Sequence, residues 1–209
     1  MKFDIIIAGV GGQGVLSTAA IIAGAAMDAG LQVKQTEVHG MAQRGGSVVA
    51  HLRLADRPIA ADIIPLGTAQ MLIGVESLEA LRLLPYLAEG GWAVVARTRV
   101  ENIPEYPDQT DIERELSVVS NLLVLDTEAL ARESGTVRAA NAVLLGAAAS
   151  LLPLPSAVLE EAIVTRFASK GERIVEANLK ALSAGRGALS AAIAVTLPGG
   201  EGVHSSVPG

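Results

Sequence analysis

The chain opens with an apolar run that is too continuous for a half-buried strand. Residues 3–10, FDIIIAGV, place three isoleucines in a row before a glycine-rich turn. Short apolar runs of this kind are typical of strands buried on both faces of a sheet. Small and aliphatic residues then continue from 11 to 30, which predicts a helix ended by Gly30. Residues 31–37 predict a second strand, so the chain begins like a doubly wound α/β domain.

The regular pattern breaks after this second strand. Residues 37–46, EVHGMAQRGG, form a polar, glycine-rich stretch where a helix would be expected in a doubly wound fold. Residues 47–56 alternate between apolar and polar positions, which predicts a strand. We expect residues 57–65 to pair with that strand as an antiparallel hairpin.

The rest of the chain returns to alternating strand and helix patterns. Further strands are predicted at 69–75, 90–98 and 121–127, and helices at 76–87, 111–117 and from 128 to about 183. Residues 99–111 predict a surface excursion, and LPLPS at 152–156 breaks the last helical region, with Ser156 expected to cap the next helix. The fold class is therefore α/β, with three α/β/α layers around a mostly parallel sheet that contains an antiparallel hairpin. We expect one domain over residues 1–183 and a flexible Gly/Ser/Pro-rich tail over 184–209.

Composition narrows the functions that this domain can have. Aromatic residues make up only 2% of the 209 residues, so the core must be built from small aliphatic side chains. The net charge of −6 and the pI of about 5.1 argue against nucleic acid as a partner. The chain has no cysteine, which excludes disulfides, thiolate nucleophiles and cysteine-ligated clusters on this chain. Its three histidines lack zinc-type spacing, so we expect no metal site and any redox cofactor to be held elsewhere.

Two long uncharged runs raise the question of a membrane span. They cover residues 5–27 and 139–159. The first contains four glycines near its start, and the second contains Asn141 and two prolines. Buried strand–turn–helix and buried helix are the better interpretations. Because the start of the chain also lacks a signal-peptide pattern, we expect a cytoplasmic protein without a membrane partner.

The glycine-rich turn after the first strand has the form of a phosphate-binding loop. GVGGQG matches G-x-G-x-x-G through Gly9, Gly11 and Gly14, with Gly12 and Gln13 between them. Backbone amides at a helix N-terminus point toward an anion, and glycine lets the anion approach closely. These five residues are therefore candidates for cofactor binding. A tight strand–helix crossover without a ligand explains the same pattern equally well.

A dinucleotide site is the familiar interpretation of such a loop, but the following segment does not support it. Glu37 follows Gly14 by 23 residues and is suitably placed to hold a ribose. The polar stretch and a strand come next, where a dinucleotide fold requires a helix. A stand-alone dinucleotide-binding oxidoreductase therefore remains an alternative only.

Two motifs in order carry a more specific resemblance. AGVGGQGV near the start, followed by EVHGMAQRGGSVVAHLRL, resembles the gamma-type domain of 2-oxoacid:ferredoxin oxidoreductases. ESLEALRLLPYLAEGG at 76–91 and NAVLLGAAAS at 141–150 extend the likeness over residues 3–183. The extent of the match favours the indolepyruvate branch over relatives that use pyruvate, 2-oxoisovalerate or 2-oxoglutarate.

The resemblance implies a subunit that is inactive alone. Its large alpha partner subunit would carry thiamine diphosphate, Mg and cysteine-ligated iron–sulfur clusters. The complex, a hetero-oligomer, would decarboxylate an aryl pyruvate oxidatively, with coenzyme A as acyl acceptor and ferredoxin as electron acceptor. A non-catalytic docking module is the remaining alternative.

The polar stretch supplies the candidate residues that face substrate or coenzyme A. Arg44 suits a carboxylate or a phosphate, although a salt bridge to Glu37 or a partner contact would also explain it. His39 is able to donate to a carbonyl or thioester oxygen, or to stabilise the loop through its backbone. Gln43 would fix the substrate or Arg44, and Glu37 would organise its neighbours. His39 and Arg44 are the auxiliary catalytic candidates.

Two further polar residues have structural interpretations. Asn141 lies on a strongly apolar helix, and a buried amide needs hydrogen-bond partners. We expect it to fasten that helix to a loop near the glycine motif. His51 lies in the middle of a predicted strand and is expected to be structural.

Overall fold

The computed structural model describes residues 1–40 and 45–196, and a six-stranded sheet lies at its centre. The strands run in the order β2-β3-β1-β4-β5-β6. Their bounds are β1 Lys2–Val10, β2 Gln32–His39, β3 Ser47–Ala55, β4 Ala69–Gly74, β5 Leu87–Ala96 and β6 Asn121–Leu125. β1, β4, β5 and β6 are parallel, whereas β3 runs antiparallel to both of its neighbours, β1 and β2. The predicted strands at these positions are confirmed.

Helices cover both faces of the sheet. Their bounds are α1 Val15–Asp28, α2 Ser77–Arg82, α3 Gln109–Leu116, α4 Thr127–Glu133, α5 Ala140–Ala149, α6 Ser156–Phe167 and α7 Glu172–Thr196. Side chains alternate along β1, so Ile5 and Ile7 join the core under α1 and α5, while Ile6 joins the core under α2 and α3. The three-layer α/β/α architecture is confirmed. None of the helices in the described chain has both the length and the apolar character needed to cross a bilayer.

The antiparallel hairpin is present, but its partner differs from the predicted one. β3 pairs with β2 on one side and β1 on the other, so neither of its edges is left for residues 57–65. Those residues form no strand in the described chain. The Arg53 guanidinium holds them instead, donating to the carbonyls of Ala61 at 2.8 Å and Ile63 at 3.1 Å. The prediction of a hairpin between 47–56 and 57–65 was therefore wrong.

A buried ion pair joins β1 to β3 at the end of the sheet where β1 begins. Arg53 donates to both carboxylate oxygens of Asp4, at 3.0 and 3.1 Å. Asp4 is 0% exposed and Arg53 is 7% exposed. Because the two residues are direct cross-strand partners, the pair fixes the register of the antiparallel strand.

The last helix corrects the predicted domain boundary. α7 continues to Thr196, so residues 184–196 are helical rather than part of a flexible tail. Gly185 lies directly against the carbonyl of Val143 in α5, and Leu189 is buried in the core. Glycine permits this close approach of the two helices, since a side chain would collide with the α5 backbone. Residues 197–209, the rest of the predicted tail, lie outside the described residues.

One predicted helix cap is also wrong. Ser156 is the first residue of α6, and Pro155 occupies the N-cap position without a side-chain hydrogen bond. Ser156 therefore lies one residue too far along the chain to cap α6, and the N-cap proline has no side-chain acceptor.

Candidate functional site

The glycine-rich turn and the polar stretch meet at one edge of the sheet. The Gly11 amide donates to the Gly46 carbonyl at 2.8 Å, and the Gly45 amide donates to the Gly11 carbonyl at 3.4 Å. These bonds extend the β1–β3 ladder beyond Val10 and Ser47. β1 and β2 both end at this edge, which is where ligand crevices form in open α/β sheets. The expectation that both motifs lie after strands of one sheet is confirmed.

A cleft lies between these two motifs, and we call it the loop cleft. Its volume is about 470 Å³. On one side are Gly11, Gly12 and the first residues of α1, and on the other are Glu37, His39 and Val48. Clefts of about 300–1,000 Å³ are typical of small-molecule sites.

The N-terminus of α1 opens into the loop cleft without a side-chain cap. Gly14 is the N-cap residue and adopts the left-handed conformation, with φ 84° and ψ 23°. Glycine has no side chain that could accept from the amides of the first turn, and the described residues provide no side-chain cap here. Amides in a first helical turn have no acceptor within the helix, and the helix dipole favours negative charge beside them. The arrangement is suited to bind a carboxylate or a phosphate.

Gly9 and Gln13 have internal roles in the same turn. Gly9 is buried, and a side chain there would lie 2.7 Å from Val15 Cγ2. Gln13 closes the turn on itself, because its Oε1 accepts from the Val10 amide at 2.8 Å and its own amide donates to the Val10 carbonyl at 3.0 Å. Neither residue lines the loop cleft. Both residues shape the turn, while Gly11, Gly12 and Gly14 line the cleft. The contact of all five residues with a cofactor stays a prediction.

Asn141 holds the glycine-rich turn from the opposite side. Its Nδ2 donates to the Gln13 carbonyl at 2.7 Å, which links α5 to the turn. A side chain at Gly14 would lie 2.8 Å from the same Nδ2 atom. The predicted fastening of this helix to the glycine motif is confirmed.

Glu37 and His39 are both exposed on the wall of the loop cleft. Glu37 Oε1 accepts a long hydrogen bond of 3.4 Å from Gln35. His39 Nδ1 lies 3.2 Å from the Gly40 carbonyl oxygen. A carbonyl oxygen only accepts, so the proton is on Nδ1 and Nε2 is the free acceptor of the neutral ring. This bond is the backbone role weighed for His39, and it leaves Nε2 available to a ligand.

Two predicted site residues, Gln43 and Arg44, lie outside the described residues. The described residues on either side of them, Gly40 and Gly45, follow the end of β2 and precede the start of β3. Their roles at the loop cleft stay predictions.

His51 is structural, as expected. It is buried, its Nδ1 accepts from the Ile64 amide at 3.2 Å, and its ring contacts the edge of Tyr86. Burial lowers the pKa of His51, and the neighbouring Arg53 charge adds to this effect. The neutral imidazole therefore serves as a fixed hydrogen-bond acceptor beneath residues 57–65.

Sequence reasoning missed a buried carboxylate that bonds to the start of β3, one residue before Val48 of the loop cleft. Glu79 is 2% exposed, and its Oε2 accepts from Ser47 Oγ at 2.6 Å. Its Oε1 accepts from Arg82 Nη1 at 2.9 Å. Ser47 is the first residue of β3, directly after the glycines that bond to the turn. Position 79 has an ordinary helical spacing in ESLEALR, so the sequence carries no signal for a contact 32 residues away.

A second buried carboxylate, Glu76, holds the segment that covers this edge. Glu76 is 1% exposed and caps α2, accepting from the Glu79 amide at 2.7 Å. It also accepts from the Tyr106 hydroxyl, and burial together with this bond raises the pKa of Tyr106. In the same segment, Asn102 Nδ2 donates to the Gly45 carbonyl at 2.7 Å. The predicted surface excursion thus contacts the polar stretch.

No group of three or more potential metal ligands occurs among the residues that the structure describes. Among the described residues, the wall of the loop cleft carries the Glu37 carboxylate and the His39 imidazole, with the backbone of the glycine-rich turn opposite them. Such a surface binds and orients a ligand by hydrogen bonds and by the helix dipole.

Known proteins share both the sequence and the fold. A family model described as "Pyruvate ferredoxin/flavodoxin oxidoreductase" matches residues 4–188. The indolepyruvate oxidoreductase subunit IorB of Archaeoglobus fulgidus is 38% identical over 194 residues, which cover 88% of this chain and 94% of the relative.

Solved structures give the same architecture. The gamma subunit of keto/oxoacid ferredoxin oxidoreductase from Geobacter sulfurreducens superposes with a TM-score of 0.67 at 25% identity, covering 90% of this chain and 99% of that one. The 2-oxoglutarate:ferredoxin oxidoreductase from Magnetococcus marinus, solved with 2-oxoglutarate, coenzyme A and succinyl-CoA bound, gives a TM-score of 0.72 at 22% identity. The match covers 91% of this chain and 31% of that one, and it shows the fold alone.

Proposed function

The chain belongs to the pyruvate ferredoxin/flavodoxin oxidoreductase family, and we propose that it is the small subunit of an indolepyruvate:ferredoxin oxidoreductase. The assembled enzyme would convert an aryl pyruvate and coenzyme A to the acyl-CoA and carbon dioxide, with two electrons passed to ferredoxin. The substrate is supported by the match to subunits named for indolepyruvate over nearly their full length.

The proposal assigns the redox cofactors to a partner chain. Iron–sulfur clusters need cysteine ligands, and this chain has none. Thiamine diphosphate, when bound with its Mg ion, supplies the carbanion chemistry of decarboxylation. The large alpha subunit would hold these groups, and this chain would be inactive without it.

The role proposed for this chain is to complete one wall of the active site. The main support for this role is the hydrogen bond from the Gly11 amide to the Gly46 carbonyl, which brings the two family motifs together beside one cleft. The uncapped N-terminus of α1 would receive an anionic group of a substrate, either the carboxylate of the 2-oxoacid or a phosphate of coenzyme A.

The polar side chains of the cleft would recognise other parts of the ligand. Glu37 only accepts hydrogen bonds while it is ionised, so it suits an amide N–H or a hydroxyl rather than a phosphate. His39 Nε2 would accept when neutral, and would donate to a carbonyl or thioester oxygen when the ring is protonated. Arg44 would supply the positive charge and the forked donors that a carboxylate or phosphate prefers.

The dinucleotide alternative is disfavoured by the order of the strands. β3 lies between β1 and β2, whereas a dinucleotide fold places its second strand directly beside the first. Glu37 is therefore two strand spacings from the glycine-rich strand, about 9–10 Å, instead of one.

Co-expression with a cysteine-containing large subunit tests the proposal. The complex should reduce ferredoxin only when an aryl pyruvate and coenzyme A are both present, and should prefer indolepyruvate to pyruvate, 2-oxoisovalerate and 2-oxoglutarate. Each subunit alone should be inactive. Full activity of the large subunit by itself would rule out the proposed role, and a preference for another 2-oxoacid would change the substrate only.

A further inference from the structure

Glu79 is a buried carboxylate that its own helix does not require. It is 2% exposed, and burying an ionised carboxylate is strongly unfavourable unless its oxygens are paired. α2 has six residues, and Glu76 already caps its N-terminus by accepting from the Glu79 amide. Arg82 of the same helix pairs with one of its oxygens, so the second oxygen is the one that acts outside the helix.

One oxygen of Glu79 is paired within the helix, and the other connects the helix to the start of β3. One accepts from Ser47 Oγ at 2.6 Å and the other from Arg82 at 2.9 Å. Bonds from a hydroxyl to an ionised acceptor are stronger than neutral ones, so the carboxylate fixes the Ser47 side chain firmly.

Ser47 belongs to a three-residue segment that is fixed from both sides. We call residues 45–47 the hairpin base. The carbonyl of Gly46 accepts from the Gly11 amide at 2.8 Å, and the carbonyl of Gly45 accepts from Asn102 at 2.7 Å. Val48, the next residue, lies in the wall of the loop cleft. A shift of the hairpin base would therefore move the glycine-rich turn and the cleft wall together.

We infer that Glu79 is a positioning residue, which acts through Ser47 to hold the hairpin base against the glycine-rich turn and so sets the affinity of the loop cleft for substrate. The expected change in KM rests on the proposed function. The expected change in hydrogen exchange at the Gly11 amide does not depend on that function.

A matched control exists at the opposite end of the sheet. Asp4 is also a buried, ion-paired carboxylate, and it lies near the start of β1. It is separated from Gly11 by roughly 20 Å of strand. Asp4→Asn should destabilise the chain without changing the loop cleft. The Glu79 variants should destabilise the chain and also change the loop cleft.

The test compares Ser47→Ala, Glu79→Ala, Glu79→Gln, the Ser47→Ala/Glu79→Ala double variant and Asp4→Asn in the assembled complex. Loss of one hydrogen bond should raise the KM for indolepyruvate or coenzyme A about threefold to tenfold, with kcat within about twofold of wild type. The double variant should match the single ones, because both remove the same link. Glu79→Gln keeps an acceptor for Ser47 and should restore part of the affinity.

Amide hydrogen exchange in the full chain gives a second readout that does not need catalysis. Ser47→Ala and Glu79→Ala should speed exchange at Gly11, while Asp4→Asn should not. Ser47→Ala removes only a hydroxyl, so it remains decisive if Glu79→Ala fails to fold.

Wild-type KM values and wild-type exchange at Gly11 in Ser47→Ala would overturn the inference, and so would multiplicative effects in the double variant. An inactive wild-type complex would count against the proposed function alone, and exchange would still decide the role of Glu79.

Discussion

The side chain of Asn141 donates from Nδ2 to the backbone carbonyl of Gln13 at 2.7 Å, joining residues 128 positions apart. Gln13 in turn closes the glycine-rich turn on Val10 through its side chain and its amide. The turn is thus held from the α5 side by Asn141 and from the β3 side by Gly45 and Gly46. These contacts restrict the conformations that the glycine-rich turn can adopt.

Asn141→Ala should loosen the turn. Loss of this hydrogen bond should lower the free energy of unfolding by about 1 kcal/mol, and should raise the KM of the assembled enzyme for indolepyruvate or coenzyme A. Thermal unfolding and steady-state kinetics measure the two effects. Asn178→Ala is the control, since the Asn178 side chain donates within its own helix, to the Ile174 carbonyl at 2.8 Å. Equal KM values for the two variants would contradict the role given to Asn141.

Gly185 and Gly187 provide a matched pair for the packing of α7 on α5. A Cβ at Gly185 would lie 1.9 Å from the Val143 carbonyl oxygen, whereas a Cβ at Gly187 would meet nothing within 4 Å. Gly185→Ala should cost about 1–3 kcal/mol or more through overpacking. Gly187→Ala should stabilise the helix by about 0.5–1 kcal/mol. Chemical denaturation measures both, and equal stabilities would show that the helices do not cross as closely as described.

His51 should make stability depend on pH. Its pKa in the folded chain is lowered by burial, below the unfolded value of about 6.5. The unfolded chain therefore binds the proton first as pH falls, so the free energy of unfolding should decrease from about pH 6.5 downward. His51→Gln should flatten this dependence in denaturation curves between pH 7.5 and 5.5. The exposed His39→Gln is the control, and a slope unchanged by the His51 substitution would refute the assignment.

Arg44→Ala distinguishes a site residue from a docking residue. A charge-assisted hydrogen bond is worth about 1.5–3 kcal/mol, so kcat/KM should fall about tenfold or more while the complex still assembles. Arg44→Lys should recover part of the loss, because lysine keeps the charge without the fork. Arg114→Ala, on the exposed face of α3, is the control. Loss of assembly would support docking, and unchanged kinetics would remove Arg44 from the site.

The sequence predicts the parts of this fold that depend on local patterns. The apolar run of β1, the helix after the glycines and the strand before Glu37 all follow from residue spacing. The antiparallel partner of β3 does not, because strand pairing is decided by contacts distant in sequence. β2, the strand that precedes β3 in the chain, is its antiparallel partner.

Composition misled the prediction of the last helix. The stretch 184–209 was predicted to be flexible because it contains many glycine, serine and proline residues. Its first part, up to 196, also contains many alanines, which favour a helix. The same small residues let α7 approach α5, as Gly185 does against Val143. The hydrogen bond between Glu79 and Ser47 could not be predicted either, because the two residues are 32 positions apart and come together only in the folded chain.

We propose that the loop cleft is one wall of an active site that this chain completes. The most direct test is the kcat/KM for indolepyruvate- and coenzyme-A-dependent ferredoxin reduction by complexes that carry Gly14→Ala or Gly24→Ala. Both substitutions change α1 or its cap by one methyl group. Gly14 has φ +84° and a Cβ there would press on Asn141, whereas Gly24 has nothing within 4 Å. We expect Gly14→Ala to lower kcat/KM about tenfold or more, in line with about 1–2 kcal/mol of left-handed strain, and Gly24→Ala to keep wild-type kinetics. Wild-type kinetics for both assembled complexes would show that the loop cleft is not part of the active site.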